Sequence, residues 1–244
     1  MNRTPREYAI LCQQTYAVPE PAWTFAASTF HAILTDDGDG HIVIAIEGSK
    51  SKFDWIVDFS VYGPHWYEHP DLGKIHYAFD NTTDECLPEI FRACTGKIVH
   101  LTGHSKGGAE AELLAAKLVI AGITVDEVVT FGAPRWVGKG NTKASQWMNG
   151  IRGWAFRHFK DVVTQVPFVW WRHPMQREPI EIGTAPWWRR FCLGWMHHLP
   201  NYIASLPAGL AIVFLVLLAG CSGSYQEPGA AAYCKSHPHT GNCP

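Results

Sequence analysis

The chain has 244 residues, 47% of them hydrophobic and 17% charged, which excludes wholesale disorder and leaves room for one large α/β domain with an appendage. Its formal charge of -2 provides no basic field, and no basic patch stands out, so nucleic acid is excluded as a partner. Taken in order, residues Glu7 to Ala17 predict a first helix, stopped by Pro19 and Pro21. Trp23 to Leu34 is rich in strand formers, and Asp36-Asp37-Gly38-Asp39-Gly40 reads as a turn. His41 to Ile46 predicts a buried strand, followed by Phe53 to Asp58 and a Gly/Pro/aromatic loop from Val61 to Gly73. Ile98 to Leu101 is a further strand, and Ala109 to Leu118 a strong helix former closed by Gly122. Strands over Glu127–Phe131 and Ile151–Phe159, a hairpin within Pro174–Pro186, and a loop from Gly194 into a last helix near Ile203 complete the series.

Strands alternating with helices predict an α/β fold with a mostly parallel sheet and helices on both faces. Ligands bind such sheets at the carboxyl ends of the strands. Ser49, Ser105, Pro134 and Asp161 all fall at those ends.

Between the strand at Ile98 and the helix at Ala109 lies Thr102-Gly103-His104-Ser105-Lys106-Gly107-Gly108. A Gly-x-Ser-x-Gly turn from strand to helix is the nucleophile elbow of serine hydrolases. Ser105 would project from a strained turn, with Gly103 and Gly107 leaving room where a side chain would strike a neighbour. A serine hydroxyl is a weak nucleophile until a base takes its proton. The order Ser, acid, His asks for a carboxylate next, and Asp161 follows a strand, whereas Asp126 precedes its own. The base should be late, which leaves the adjacent His197 and His198, of which one can face the serine. The N–H of Lys106, the residue after the serine, is one expected oxyanion donor. His76, His100 and His104 read as structural or packing residues. No histidines pair with cysteines or carboxylates at ligand spacing, so neither metal nor cofactor is expected.

These segments together resemble the class 3 lipases, the fungal-lipase-like branch of the α/β-hydrolases. The resemblance rests on Ile46-Glu47-Gly48-Ser49 with Asp54 to Asp58, Gly73 to Phe79, the elbow, Thr130 to Arg135, and Asp161 with Val163 and Pro167. His197 with Tyr202 adds a weaker match, so that roughly residues 40 to 205 are covered. The resemblance implies an α/β-hydrolase domain and a Ser105, Asp161, His197 triad, because the family histidine stands five residues before a helix tyrosine. It also implies Ser49 as second oxyanion donor, a lid in the region Val61 to Tyr67, and fatty-acyl esters of lipids as substrates. Three positions depart from the pattern: Glu47 stands where arginine is usual, Lys106 where leucine is frequent, and Met196 where an acid commonly precedes the histidine. Two roles are open for Lys106, steering an anionic head group or facing solvent.

The composition changes after Leu206. Pro207 to Cys221 carries no charge, and Leu218-Ala219-Gly220-Cys221 looks like a bacterial lipobox with Cys221 as the lipidation candidate. The expected organisation is a hydrolase domain at 1–205, an apolar transmembrane or lipobox segment at 206–221 and a flexible polar tail at 222–244. The first residues lack an export signal, and Arg189-Arg190 stand on the domain side, so the expectation is a cytoplasmic domain anchored to a membrane by its C-terminus, in a bacterial or phage-encoded setting. Sequence sets no oligomeric state. The competing expectation, motivated by Glu47 and Met196, is a degraded hydrolase scaffold serving as a membrane-anchored or lysis-type lipoprotein.

Overall fold

The computed structural model describes residues 3–17, 22, 24–49, 66–158, 161–167, 171–174, 180–183 and 197–206. Predicted features at Phe53–Asp58 and Val61–His65, and everything from Pro207 on, Cys221 included, lie outside the described residues. Among the described residues, no helix is long and apolar enough to cross a membrane.

Seven strands form the main sheet, in the order β1 (Phe25–Ala26), β2 (His31–Gly38), β3 (His41–Ile46), β6 (Ile98–His104), β7 (Thr124–Phe131), β9 (Arg152–His158) and β11 (Ile180–Ile182). The first two pairings are antiparallel, and β3, β6, β7, β9 and β11 run parallel. The mixed, mostly parallel sheet is thus the α/β-hydrolase architecture expected. Most of Pro174–Pro186, where a hairpin is expected, lies outside the described residues. Within it, β11 joins the edge of the sheet parallel to β9, with Ile180 beside Phe156. A second, antiparallel sheet holds β10 (Trp171–Arg172), β8 (Val137–Gly138), β5 (Gly73–His76) and β4 (Trp66–His69), so part of the stretch read as a loop is a hairpin.

The register levels the carboxyl ends of the central strands. Ile46 lies beside Gly103, Gly103 beside Thr130, and Phe131 beside Phe156. Residues 47–49, 105, 132 and 161 therefore leave the sheet at one rim.

Period-two alternation splits the core between the two faces. Ile42, Ile44 and Ile46 point to one face with Val99, Leu101 and Val128. There they meet α4 (Lys106–Ile120), α2 (Tyr77–Asp84) and α3 (Leu87–Cys94), of which the latter two were not anticipated. Val43, Ala45, Val129 and Phe131 point to the other face, against α1 (Pro5–Gln14) and α6 (Leu199–Ser205). Helix α5 (Lys143–Met148) adds Met148 to the first face. Cys12, Cys86 and Cys94 are buried free thiols.

Helix α1 starts earlier than its hydrophobic pattern implied, because Thr4 and Glu7 form a reciprocal capping box ahead of Pro5. It lies along β6 in a polar seam of three rungs. Tyr8 meets His100 (Oη to Nδ1, 3.2 Å), Cys12 meets Thr102 (Sγ to Oγ1, 3.2 Å) and Tyr16, just past the helix, meets His104 (Oη to Nδ1, 3.1 Å). The rungs match because four helical residues rise about 6 Å and two strand residues about 6.6 Å.

Candidate active site

Strand β6 ends at His104, and Ser105 turns the chain sharply into α4 at φ 59°, ψ −130°. That conformation is costly for a residue with a Cβ, on the order of 1–3 kcal/mol, and persists only where the surroundings over-determine it. Here two close approaches do so. A Cβ on Gly103 would stand 2.1 Å from the Gly107 carbonyl oxygen, and one on Gly107 would stand 2.4 Å from that of Ile46. Only glycine lets strand, turn and helix meet at this spacing. Ser105 is buried, and its N–H donates to the Phe131 carbonyl at 2.9 Å, tying the turn to β7. Its own carbonyl accepts from Gly108 and Ala109, while the first peptide of α4, that of Lys106, belongs to a helix N-terminus that favours negative charge.

Asp161 follows β9 and is fully buried. Its Oδ1 accepts from the Val163 N–H at 2.9 Å; its Oδ2 accepts from His197 Nδ1 at 2.8 Å and from the Tyr202 hydroxyl at 2.5 Å. Burial pushes the Asp161 carboxyl up, but the His197 charge and hydrogen bond, with the Tyr202 and Val163 bonds, outweigh it and hold the group below its ordinary value. The same burial, reinforced by the facing carboxylate, drives the Tyr202 phenol well up, so it stays a donor. Because Nδ1 is engaged by Asp161, Nε2 is the ring nitrogen left to act, and that atom has no hydrogen-bond partner among the described residues. No hydrogen bond joins it to Ser105, a link that in serine hydrolases often tightens only around substrate. Asp161, His197 and Tyr202 crowd one point just past the end of β7: a Cβ on Gly132 would lie 2.9 Å from Asp161 Oδ2, His197 Cε1 and the Tyr202 hydroxyl.

Of the two late histidines, it is His197 that meets Asp161, while His198 sits half-buried at the N-cap of α6. Ser49 is half-buried, and the preceding Gly48 packs against the elbow, its Cβ position 3.2 Å from Ser105 Cβ. Glu47 is buried and pairs with His31 Nδ1 on β2 at 3.1 Å, so an imidazole from the neighbouring strand meets the acid that replaces the usual arginine. The Lys106 side chain is partly buried and engaged within the fold. Its Nζ pairs with the fully buried Glu110 one turn on, at 2.6 Å, and donates to the Thr29 carbonyl at 2.9 Å. His104 is likewise more than packing. Its ring stacks on His197, centroids 4.6 Å apart, and its Nε2 lies 2.9 Å from the His197 carbonyl oxygen.

Sequence reasoning used Tyr202 only as a spacing marker and missed that its hydroxyl supports Asp161; a tyrosine one turn into a helix beside the candidate base was the available signal. A hollow of ≈ 500 Å³ lined by Phe91, Gly96, Ile98, Gly122 and Thr124 opens at the amino ends of β6 and β7, the wrong end of such a sheet for this constellation. No cluster of three or more metal-ligating side chains occurs among the described residues.

Comparison with known proteins adds an independent line. The family model for lipase (class 3) matches residues 43–170. Among solved structures, a triacylglycerol lipase described by its serine-protease-type triad is similar at TM-score 0.59 and 21% identity, over 69% of this chain and 76% of that one. A lipase of Yarrowia lipolytica is similar at TM-score 0.55 and 19% identity, covering 72% and 76% respectively. For the triacylglyceride lipase of Rhizomucor miehei the values are 0.50 and 24%, with 62% of each chain covered. At these identities the likenesses speak for the fold. No curated protein sequence matches the chain.

Proposed function

The chain belongs to the class 3 lipase family and is a lipase-type carboxylic ester hydrolase, and from that premise we propose that it cleaves fatty-acyl esters of lipids through Ser105, His197 and Asp161. The observation that carries the assignment is the His197 ring held by buried Asp161 at Nδ1, with Nε2 unengaged, at the rim where the Ser105 elbow turns. In the first half-reaction Ser105 Oγ bonds to the ester carbonyl carbon and gives its proton to His197 Nε2. The carbonyl π pair moves onto oxygen, which the N–H of Lys106 and the backbone and hydroxyl of Ser49 receive. The intermediate collapses by expelling the alcohol, which takes the proton back from His197. Water then repeats the sequence on the acyl-enzyme and releases the acid. Asp161 stays ionised throughout and stabilises the imidazolium.

Two arms test this. A fluorophosphonate probe should label the wild type and not Ser105→Ala, and turnover of an ester panel from acetyl to palmitoyl, phospholipids included, should fall on the order of ten-thousandfold in Ser105→Ala and His197→Ala. Loss of activity in His198→Ala with His197→Ala spared would reverse the base. An unlabelled but folded wild type would favour the degraded-scaffold reading.

The uncharged run from Pro207 and the lipobox-like Leu218-Ala219-Gly220-Cys221 support a membrane tether at the C-terminus, with the hydrolase domain cytoplasmic. Cys221→Ala should then shift the protein from the membrane to the supernatant fraction; unchanged partitioning would remove lipidation from the proposal.

A further inference from the structure

The top rung of the seam between α1 and β6 differs from the two below it, because it touches both sides of the reaction rim. A carbonyl oxygen can only accept, so the 2.9 Å contact with the His197 carbonyl puts a proton on His104 Nε2. The ring is buried and stays neutral, which leaves Nδ1 bare, and the Tyr16 hydroxyl 3.1 Å away must donate to it. Tyr16 in turn lies against the segment before Ser49: a Cβ on Gly48 would stand 2.2 Å from its hydroxyl oxygen. One chain of contacts thus runs from the backbone of Gly48, through the Tyr16 hydroxyl and the His104 ring, to the backbone of His197. The His104 ring also stacks on the His197 ring and meets Tyr16 and Tyr202 edge-on.

We propose that Tyr16 and His104 are positioning residues that hold the loop bearing the base and the loop bearing the oxyanion donor at a fixed separation across Ser105. This rests on the assignment of Ser105, His197 and Ser49 above. Each loop is held at a backbone position at or next to its working group, Gly48 beside Ser49 and the carbonyl of His197. The lower rungs, Tyr8 with His100 and Cys12 with Thr102, lie progressively farther down β6 and touch neither loop. A grip of this kind acts on the tetrahedral state, whose oxygen must meet its donors, more than on the bound ester, whose carbonyl is less demanding.

The test compares Tyr16→Phe with Tyr8→Phe, the same chemical change on the same helix against the same strand. Steady-state kinetics on p-nitrophenyl butyrate are read beside the inhibition constant of a short alkyl boronic acid, which becomes tetrahedral on Ser105 Oγ and places an oxygen where the oxyanion forms. Tyr16→Phe should lower kcat by on the order of tenfold with KM nearly unchanged, and weaken the boronic acid by a similar factor. Tyr8→Phe should leave kcat, KM and inhibition within about twofold even where it lowers the melting temperature. His104→Gln, whose amide N–H can reach the same carbonyl, should retain more activity than His104→Ala. The proposal is overturned if folded Tyr16→Phe keeps wild-type kcat and inhibition, or if Tyr8→Phe loses kcat equally. Ser105→Ala run alongside separates the layers. If it still hydrolyses ester, the triad assignment fails; if it is dead while Tyr16→Phe is normal, only the positioning role fails.

Discussion

Replacing Tyr202 by phenylalanine deletes one oxygen from the bond set of Asp161 and keeps the ring that packs on Phe131 and His158. Asp161 is fully buried and accepts three hydrogen bonds, so water cannot fill the place of the lost donor. Loss of one bond to a charged, buried acceptor costs about 1.5–3 kcal/mol, equivalent to a melting temperature lower by about 3–12 °C for a domain of this size. The pH dependence has a definite sign. Burial raises the Asp161 carboxyl, but His197, Tyr202 and Val163 together hold its folded value below the unfolded one. The stabilisation is therefore present above about pH 4 and lost as pH falls through the folded value. Urea and thermal melts of wild type and Tyr202→Phe at about pH 7.5, 5.5, 4 and 3 should show a gap that holds down to about pH 4 and narrows below it. Activity should fall on the order of tenfold or less, because the bond between His197 and Asp161 survives. A melting temperature unchanged at pH 7.5, or a gap that widens toward pH 4, would refute the reasoning.

Three other substitutions probe the frame around the site. Lys106→Met takes the cationic partner from the buried Glu110 carboxylate and should cost about 3 kcal/mol at pH 8, less as acidification lets the acid take a proton; the double variant with Glu110→Leu should recover most of it in urea melts. Gly103→Ala puts a methyl 2.1 Å from the Gly107 carbonyl oxygen, and soluble, folded protein should fall sharply, with a loss of at least about 3 kcal/mol in whatever folds. Glu112, fully buried among the neutral donors Thr130 and Trp136, is pushed up to about 7, first by burial. Its raised folded value means the protein loses stability as pH climbs through 7, by about 3 kcal/mol in all. Glu112→Gln can satisfy the same two partners without a charge, so it should gain on the wild type from pH 5 to pH 9; a constant difference over that range would exclude the shift.

The parallel sheet and its rim were legible because buried strands such as Ile42 to Ile46 announce themselves by composition, and the elbow by its glycines. Helix α2 was not, since Tyr77 to Asp84 carries Asn, Thr and Asp and owes its start to the His76 side chain capping the Ala78 N–H. Nor was α3, whose eight residues hold too few apolar turns to stand out. At the site, residue types and order pointed to Ser105 and Asp161, while the choice between adjacent histidines needed three dimensions or a relative. The role of Glu47 was illegible because its partner, His31, is set by tertiary packing from a neighbouring strand. For Lys106 the partner Glu110 stood four residues on in the sequence, but its burial and the contact with the Thr29 carbonyl needed the fold.

The matched family segment, 43–170, omits the first helix and residue 197 alike. An expression boundary drawn to that segment would discard the capped helix that walls one face of the sheet, together with Tyr16 and the imidazole that meets Asp161. Shortened proteins should therefore be trimmed no further than Arg3, which is itself pinned to Asp37 at the far end of β2. Fusion partners belong ahead of that residue, where added chain leaves the seam untouched.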